Sequence, residues 1–154
     1  MRKKRSHKRD YEPDYIHGRI DIARFINYLM KDGKRSTAER VFYDALDVLK
    51  NDKKDPIAVF DKAMENVTPM VEVASKRVGG ANYQVPRSVR PERKFILAAR
   101  WLTQAARAKK GKPMAKRLAE ELVAAANGEG SAYKKKQDTH RMADANKAFA
   151  HFAW

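Results

Sequence analysis

The sequence predicts a mainly α fold: a single domain of about six helices, a protruding two-stranded β-hairpin and a basic, disordered N-terminal arm. Three observations predict it. Apolar residues recur at helical spacing over most of the chain. The period switches to two only between Val71 and Val89, on either side of Gly79-Gly80. The first dozen residues carry charge with no apolar periodicity. The organisation that follows is an arm over residues 1–12 and a helical body over residues 13–154, with the hairpin at 71–89.

Ile22, Phe25, Ile26, Leu29 and Met30 define the first helix, and Asp32-Gly33 supplies its stop. The second is expected to begin at Ser36, whose hydroxyl caps while Glu39 reaches back in an S-x-x-E box. Its apolar face is Ala38, Val41, Phe42, Ala45 and Leu49. Asp55-Pro56 places a capping carboxylate before a proline at the first helical position. Ile57, Phe60, Ala63, Met64 and Val67 follow as the third stripe, and Pro69 ends it.

Val71, Val73 and Ser75 then alternate with Glu72, Ala74 and Lys76, and Ala81, Tyr83, Val85, Arg87 and Val89 alternate with Asn82, Gln84, Pro86 and Ser88. Paired glycines accept positive φ, which suits a tight reversal. Pro86 cannot donate to a ladder, so the ribbon has free edges and is no part of a larger sheet. A ribbon alone is marginal in water and must lean on the helices or on a ligand.

Helix resumes after Pro91 with Phe95, Ile96, Ala99, Leu102 and Ala106, and breaks at Lys109-Lys110-Gly111-Lys112-Pro113. Met114, Leu118, Leu122 and Ala126 mark the next, which stops at Asn127-Gly128. The last starts near Ser131, carries Lys134, Lys135, Lys136, Met142 and Ala143, and runs into Phe149, Phe152 and Trp154. Phe25, Phe42, Phe60, Phe95 and Met64 are expected in the core.

Charge is segregated along the chain. The formal net charge is +15, yet residues 73–119 hold thirteen Lys or Arg against one acid, Glu92. Residues 1–9 add Arg2, Lys3, Lys4, Arg5, Lys8 and Arg9 with no acid, so the remainder is slightly acidic. Solvated helices normally alternate sign for i,i+4 pairing, and so long an acid-poor stretch repels itself unless phosphates neutralise it. Arg, Lys, Gly and one aromatic on a ribbon and a loop suit RNA, which is read by shape and backbone. Each phosphate neutralised contributes roughly −0.7 to −0.9 to the slope of log affinity against log salt.

Other chemistries find little support. The chain has no cysteine, so a disulfide framework, a thiolate zinc site and a Cys nucleophile are all excluded. No apolar run approaches the ~18 residues of a membrane span, and Tyr11, Glu12, Pro13 and Asp14 follow the basic cluster where a signal peptide would be apolar. A soluble, cytoplasmic protein without membrane partners is expected. His7, His17, His140 and His151 share no metal-ligand spacing. Ser131, Asp138 and His140 lie along one basic helix and do not converge as a triad. No enzyme and no cofactor are expected. Gly33-Lys34-Arg35-Ser36-Thr37 is similar to the end of a phosphate-binding loop but lacks the upstream glycine and strand, leaving a connector whose Lys34 and Arg35 reach phosphate.

Three readings stay open. Tyr83, near the ribbon tip, either stacks on an unpaired base or packs the ribbon against the body. Phe149, Phe152 and Trp154 either staple back onto the helices or anchor another macromolecule. The arm RKKRSHKR fits both a nucleic-acid arm and a targeting element.

DPIAVFDKAMENVTP (Asp55 to Pro69), followed by VEVASKRVGGANYQVP (Val71 to Pro86), resembles the signature of the small-subunit ribosomal protein seven family, bacterial type. RFINYLMKDGKRSTA (Arg24 to Ala38) and KKQDTHRMADANKAFAHFAW (Lys135 to Trp154) match as well, so the resemblance covers nearly the whole chain. It implies a non-enzymatic structural constituent of the small subunit that binds ribosomal RNA in the head domain and nucleates assembly of that head. It also implies a position near the exit-site transfer RNA and messenger RNA path, with small-subunit proteins nine and eleven as neighbours. Carried onto this sequence, the RNA contacts fall on the arm, on Lys34 and Arg35, on Lys76 and Arg77, and on Lys109, Lys110, Lys112, Lys116 and Arg117; the basic helix that leads into that loop adds Arg93 and Lys94 as expected RNA contacts. The tip, Gly79, Gly80, Ala81, Asn82 and Tyr83, would face the exit region. Asn82 and Ala74 depart from the commoner family residues. The alternative class is an architectural DNA-binding protein, since a helical body with a basic ribbon also suits minor-groove binding.

Overall fold

The computed structural model describes residues 11–152. Among them the order is α1 (Ile20–Leu29), α2 (Arg35–Asn51), α3 (Pro56–Val67), β1 (Val71–Val78), β2 (Ala81–Ser88), α4 (Pro91–Ala108), α5 (Met114–Ala126), α6 (Gly130–Ala145) and a closing 3-10 turn (Lys147–Phe152). Arg2, Lys3, Lys4, Arg5, Lys8 and Arg9 of the arm lie outside the described residues, as does Trp154. The chain engages the body from Tyr11, whose ring lies 5.2 Å from the Arg24 guanidinium, with Phe95 at 4.5 Å from the same group.

The core is built around α5, which touches α2, α3, α4 and α6. Its buried positions are Leu118, Ala119, Glu121, Leu122, Ala125 and Ala126. Three alanines on that face let neighbouring backbones come close, and Leu118 and Leu122 fill the spaces between them. Phe25, Phe42 and Phe60 are fully buried and meet one another at centroid distances of 5.2–5.7 Å. Each full burial of such a side chain stabilises the fold by roughly 1.5–3 kcal/mol. Phe95 lies only partly buried at the edge of this core.

The Asp55 cap forms as the spacing predicts: Oδ1 accepts from the Ile57 and Ala58 amides at 3.0 and 3.3 Å, with Pro56 next to it. The Ser36 capping box does not form. Helix α2 starts at Arg35 with Lys34 as N-cap and no side-chain cap. That start places Ser36 inside the first turn, and Glu39 accepts instead from Arg35 Nε at 2.8 Å. An i,i+4 ion pair takes the carboxylate that the box would have used.

The hairpin is antiparallel, with Val71 opposite Ser88 through to Val78 opposite Ala81. Gly79 and Gly80 form its two-residue turn with φ of 57° and 89°. Open space surrounds both positions, so left-handed backbone, and not crowding, requires glycine there. The ribbon leans on α6 through both strands and on the 3-10 turn through β2.

Candidate nucleic-acid interface

Cross-strand pairs share a face of the ribbon, so the register sorts its side chains into two sets. Ser75, Gln84, Arg77 and Asn82 form one set and all four are exposed. Lys76, Tyr83, Ala74 and Val85 belong to the other. Tyr83 packs on Phe149 at 5.1 Å and Phe152 at 5.3 Å, and Lys76 Nζ donates to the Phe152 carbonyl at 2.9 Å. The ring therefore packs the ribbon against the C-terminal turn, and Phe149 and Phe152 staple that turn onto the ribbon. Arg77 is left as the exposed cation of the polar face.

Glu72 anchors the root. It is buried, and Oε1 accepts from Arg87 Nε at 2.8 Å while Oε2 accepts from Arg93 Nε at 2.7 Å. One carboxylate thus joins β1, β2 and α4. Met70, just before β1, donates its amide to His140 Nε2 of α6 at 3.2 Å. Burial first, and then Lys136, hold the His140 imidazole below its ordinary range.

A second basic group surrounds the α4–α5 connection. Arg117 donates from Nη1 to the Arg107 carbonyl at 3.3 Å and also to the Lys109 carbonyl. Lys109 Nζ sits 2.8 Å from Oε2 of Glu121, which is fully buried. The other oxygen, Glu121 Oε1, accepts from the Ala132 amide at 3.0 Å and so ties α5 to α6. Lys112 pairs with Glu120, whose carboxyl it holds below the usual range. The loop's shape is therefore fixed by three of its own cations. Lys110 and Lys116 are exposed and, among the described residues, have no ion pair or side-chain hydrogen bond.

The α1–α2 connection joins the same corner. Arg107 Nη2 donates to the Leu29 carbonyl at 3.0 Å. Lys31, Lys34, Arg107 and Met114 line one cavity of about 330 Å³ between the two connections. Lys34 and the ends of the two helices that flank the α4–α5 loop, Arg107 and Met114, distant in sequence, thus share a surface. Arg35 turns to Glu39, as described above.

Helix α4 connects the two groups. Its 18 residues span roughly 27 Å, with Arg93 at the ribbon end and Arg107 at the loop end. Arg93, Arg100 and Arg107 are all exposed and recur every seven residues, which returns nearly to the same helix face. Arg100 also lies over the Tyr28 ring at 5.8 Å. Lys94 is half-buried beside this stripe. Arg87, Arg90, Arg100 and Arg107 belong to the same basic stretch and join the residues expected from the sequence to contact RNA. The seven-residue spacing was the signal that marks Arg100 and Arg107. Elsewhere on α6, Asp138 faces Arg141 at 3.8 Å, and His140 holds Met70.

Taken together these features define a helical body with a basic ribbon, a braced basic loop and an arginine track between them, a class suited to a folded polyanion. The chain belongs to the ribosomal protein S7p/S5e family, whose model matches residues 1–147. Small ribosomal subunit protein uS7 of Thermotoga neapolitana is 52% identical over 155 residues, covering 100% of both chains. The Nitratiruptor protein of that name is 53% identical over 156 residues, again 100% of both. That of Moorella thermoacetica is 54% identical over 142 residues, covering 92% of this chain and 91% of its own.

Proposed function

We propose that this chain binds ribosomal RNA of the small-subunit head directly, as a structural constituent of the cytoplasmic ribosome, and nucleates assembly of that head. It works without catalysis, by neutralising phosphates and fitting the shape of a folded junction. The observation that carries this reading is the arginine track of α4, which links exposed cations at both ends of an 18-residue helix in a member of this family. A span of roughly 27 Å with arginines near 10 Å apart matches a backbone followed over several nucleotides, not a single bound phosphate.

The arm residues Arg2, Lys3, Lys4, Arg5, Lys8 and Arg9 extend the same electrostatic surface. The tip from Gly79 to Asn82 lies toward the exit-site transfer RNA and messenger RNA path, and small-subunit proteins nine and eleven are neighbours. Family membership favours this reading over an architectural role on duplex DNA. The test is a titration against folded head-domain RNA and against duplex DNA at matched, moderate salt. Tighter RNA binding is expected; equal or tighter DNA binding would overturn the reading.

A further inference from the structure

A notch between the ribbon root and the start of α4 has chemistry of its own. Its volume is about 530 Å³, and Glu72, Arg87, Ser88, Arg90 and Arg93 line it. Three arginines therefore share the notch with a single carboxylate. Glu72 is only 8% exposed and is the cross-strand partner of Arg87. Its two oxygens engage Arg87 and Arg93 separately, yet those side chains remain 52% and 46% exposed. Arg90 is exposed and, among the described residues, makes neither an ion pair nor a side-chain hydrogen bond. Arg90 is also the N-cap residue of α4, and no side chain caps that end, so the positive pole of the helix lies beside the three arginines.

Glu72 offers too little charge to satisfy this group but enough to arrange it. Holding Arg87 and Arg93 by one edge each fixes their planes and leaves the remaining N–H groups of each fork available. A guanidinium held in place loses less freedom when it binds. Several convergent N–H donors with excess positive charge match a tetrahedral oxyanion.

We infer that this notch seats one phosphate group, a phosphodiester of the RNA backbone. Arg87, Arg90 and Arg93 are its donors, and Glu72 is the residue that positions two of them. The inference rests on the RNA-binding reading above and adds a defined contact at the foot of the ribbon. In this arrangement an acidic residue inside a basic surface strengthens RNA binding.

The experiment uses the full chain and a folded head-domain RNA, with affinity followed against salt. Arg90→Ala should lower the magnitude of the slope by roughly 0.7 to 0.9. Its thermal midpoint should match the wild type, because the Arg90 side chain has no hydrogen-bond or ion-pair partner among the described residues. Arg90→Lys should restore the slope while leaving affinity below the wild type. Glu72→Gln raises the net charge by one yet should bind RNA roughly three- to tenfold more weakly. Tighter binding by Glu72→Gln, or an unchanged slope for Arg90→Ala, overturns the inference. Inorganic phosphate that shifts the arginine side-chain NMR signals in the wild type but not in Arg90→Ala, with equal RNA slopes in both, overturns the assignment to RNA backbone. A wild type that binds no head-domain RNA overturns the functional reading and this inference together.

Discussion

Beyond its Glu72 root the hairpin draws apolar support from the C-terminal turn, whereas the α4–α5 loop draws its support from charge, including the buried Glu121. Tyr83 lies on Phe149 and Phe152, so one face of the ribbon is covered by side chains about seventy residues away in sequence. In the loop, Arg117 and Lys109 are occupied with backbone carbonyls and with the buried Glu121. Basic residues in the two regions therefore divide differently. The ribbon keeps Arg77 on its polar face and commits Lys76 to the Phe152 carbonyl, while the loop commits three cations and presents Lys110 and Lys116. A count of positive charge does not distinguish a residue that shapes a surface from one that is offered by it.

Removing the acid beneath the loop should have the largest effect. Glu121→Ala leaves Lys109 without its buried counter-ion and the Ala132 amide without its acceptor, and should cost about 2–4 kcal/mol in urea denaturation. A loss below about 0.5 kcal/mol would show that the loop is held by other contacts. Removing the apolar support should act locally instead. The Phe149→Ala, Phe152→Ala double variant should speed amide exchange of residues 71–88 by roughly tenfold or more while the α5 amides keep their protection. Unchanged hairpin protection would show that α6 alone supports the ribbon.

The smallest effect concerns pH at the ribbon root. His140 accepts from the Met70 amide as a neutral imidazole, with Lys136 and Asp144 as the charged groups acting on it. Its folded pKa is lowered, so the unfolded chain takes up the proton first as pH falls. This stabilising contribution is fully present above about 6.5 and is lost as pH drops through the lowered folded value. Gln at this position keeps an acceptor and does not titrate. The stability advantage of the wild type over His140→Gln should accordingly shrink between pH 7.5 and 5.5, as read by thermal midpoints. An advantage that grows on acidification would contradict this role.

Most of the fold was legible because its determinants are local. Asp55-Pro56, the apolar stripes and the switch to period two at Val71 each act within a few residues. The Ser36 box failed because two acceptable partners compete for Glu39, and Arg35 offers the stronger charge-assisted bond. Tyr83 stayed ambiguous because its partners follow the last helix, and no local spacing reports that contact. Strand parity combined with the two-residue Gly79-Gly80 turn, however, separates Tyr83 from Arg77, Asn82 and Gln84. For the site, the basic stretch was visible but its division of labour was not. Glu121 reads as one more polar residue between Ala119 and Leu122, and only the packing of α5 shows that it captures Lys109.

The most direct test compares two lysines of one loop, Lys110 and Lys112, which differ in having an acidic partner. Each alanine variant removes one positive charge two residues from the other, and the RNA affinity of each is measured against salt. Lys110→Ala should reduce the magnitude of the slope by roughly 0.7 to 0.9, and Lys112→Ala, whose charge Glu120 already balances, by less than half of that. Equal reductions would contradict the division between cations that brace the surface and cations that bind through it.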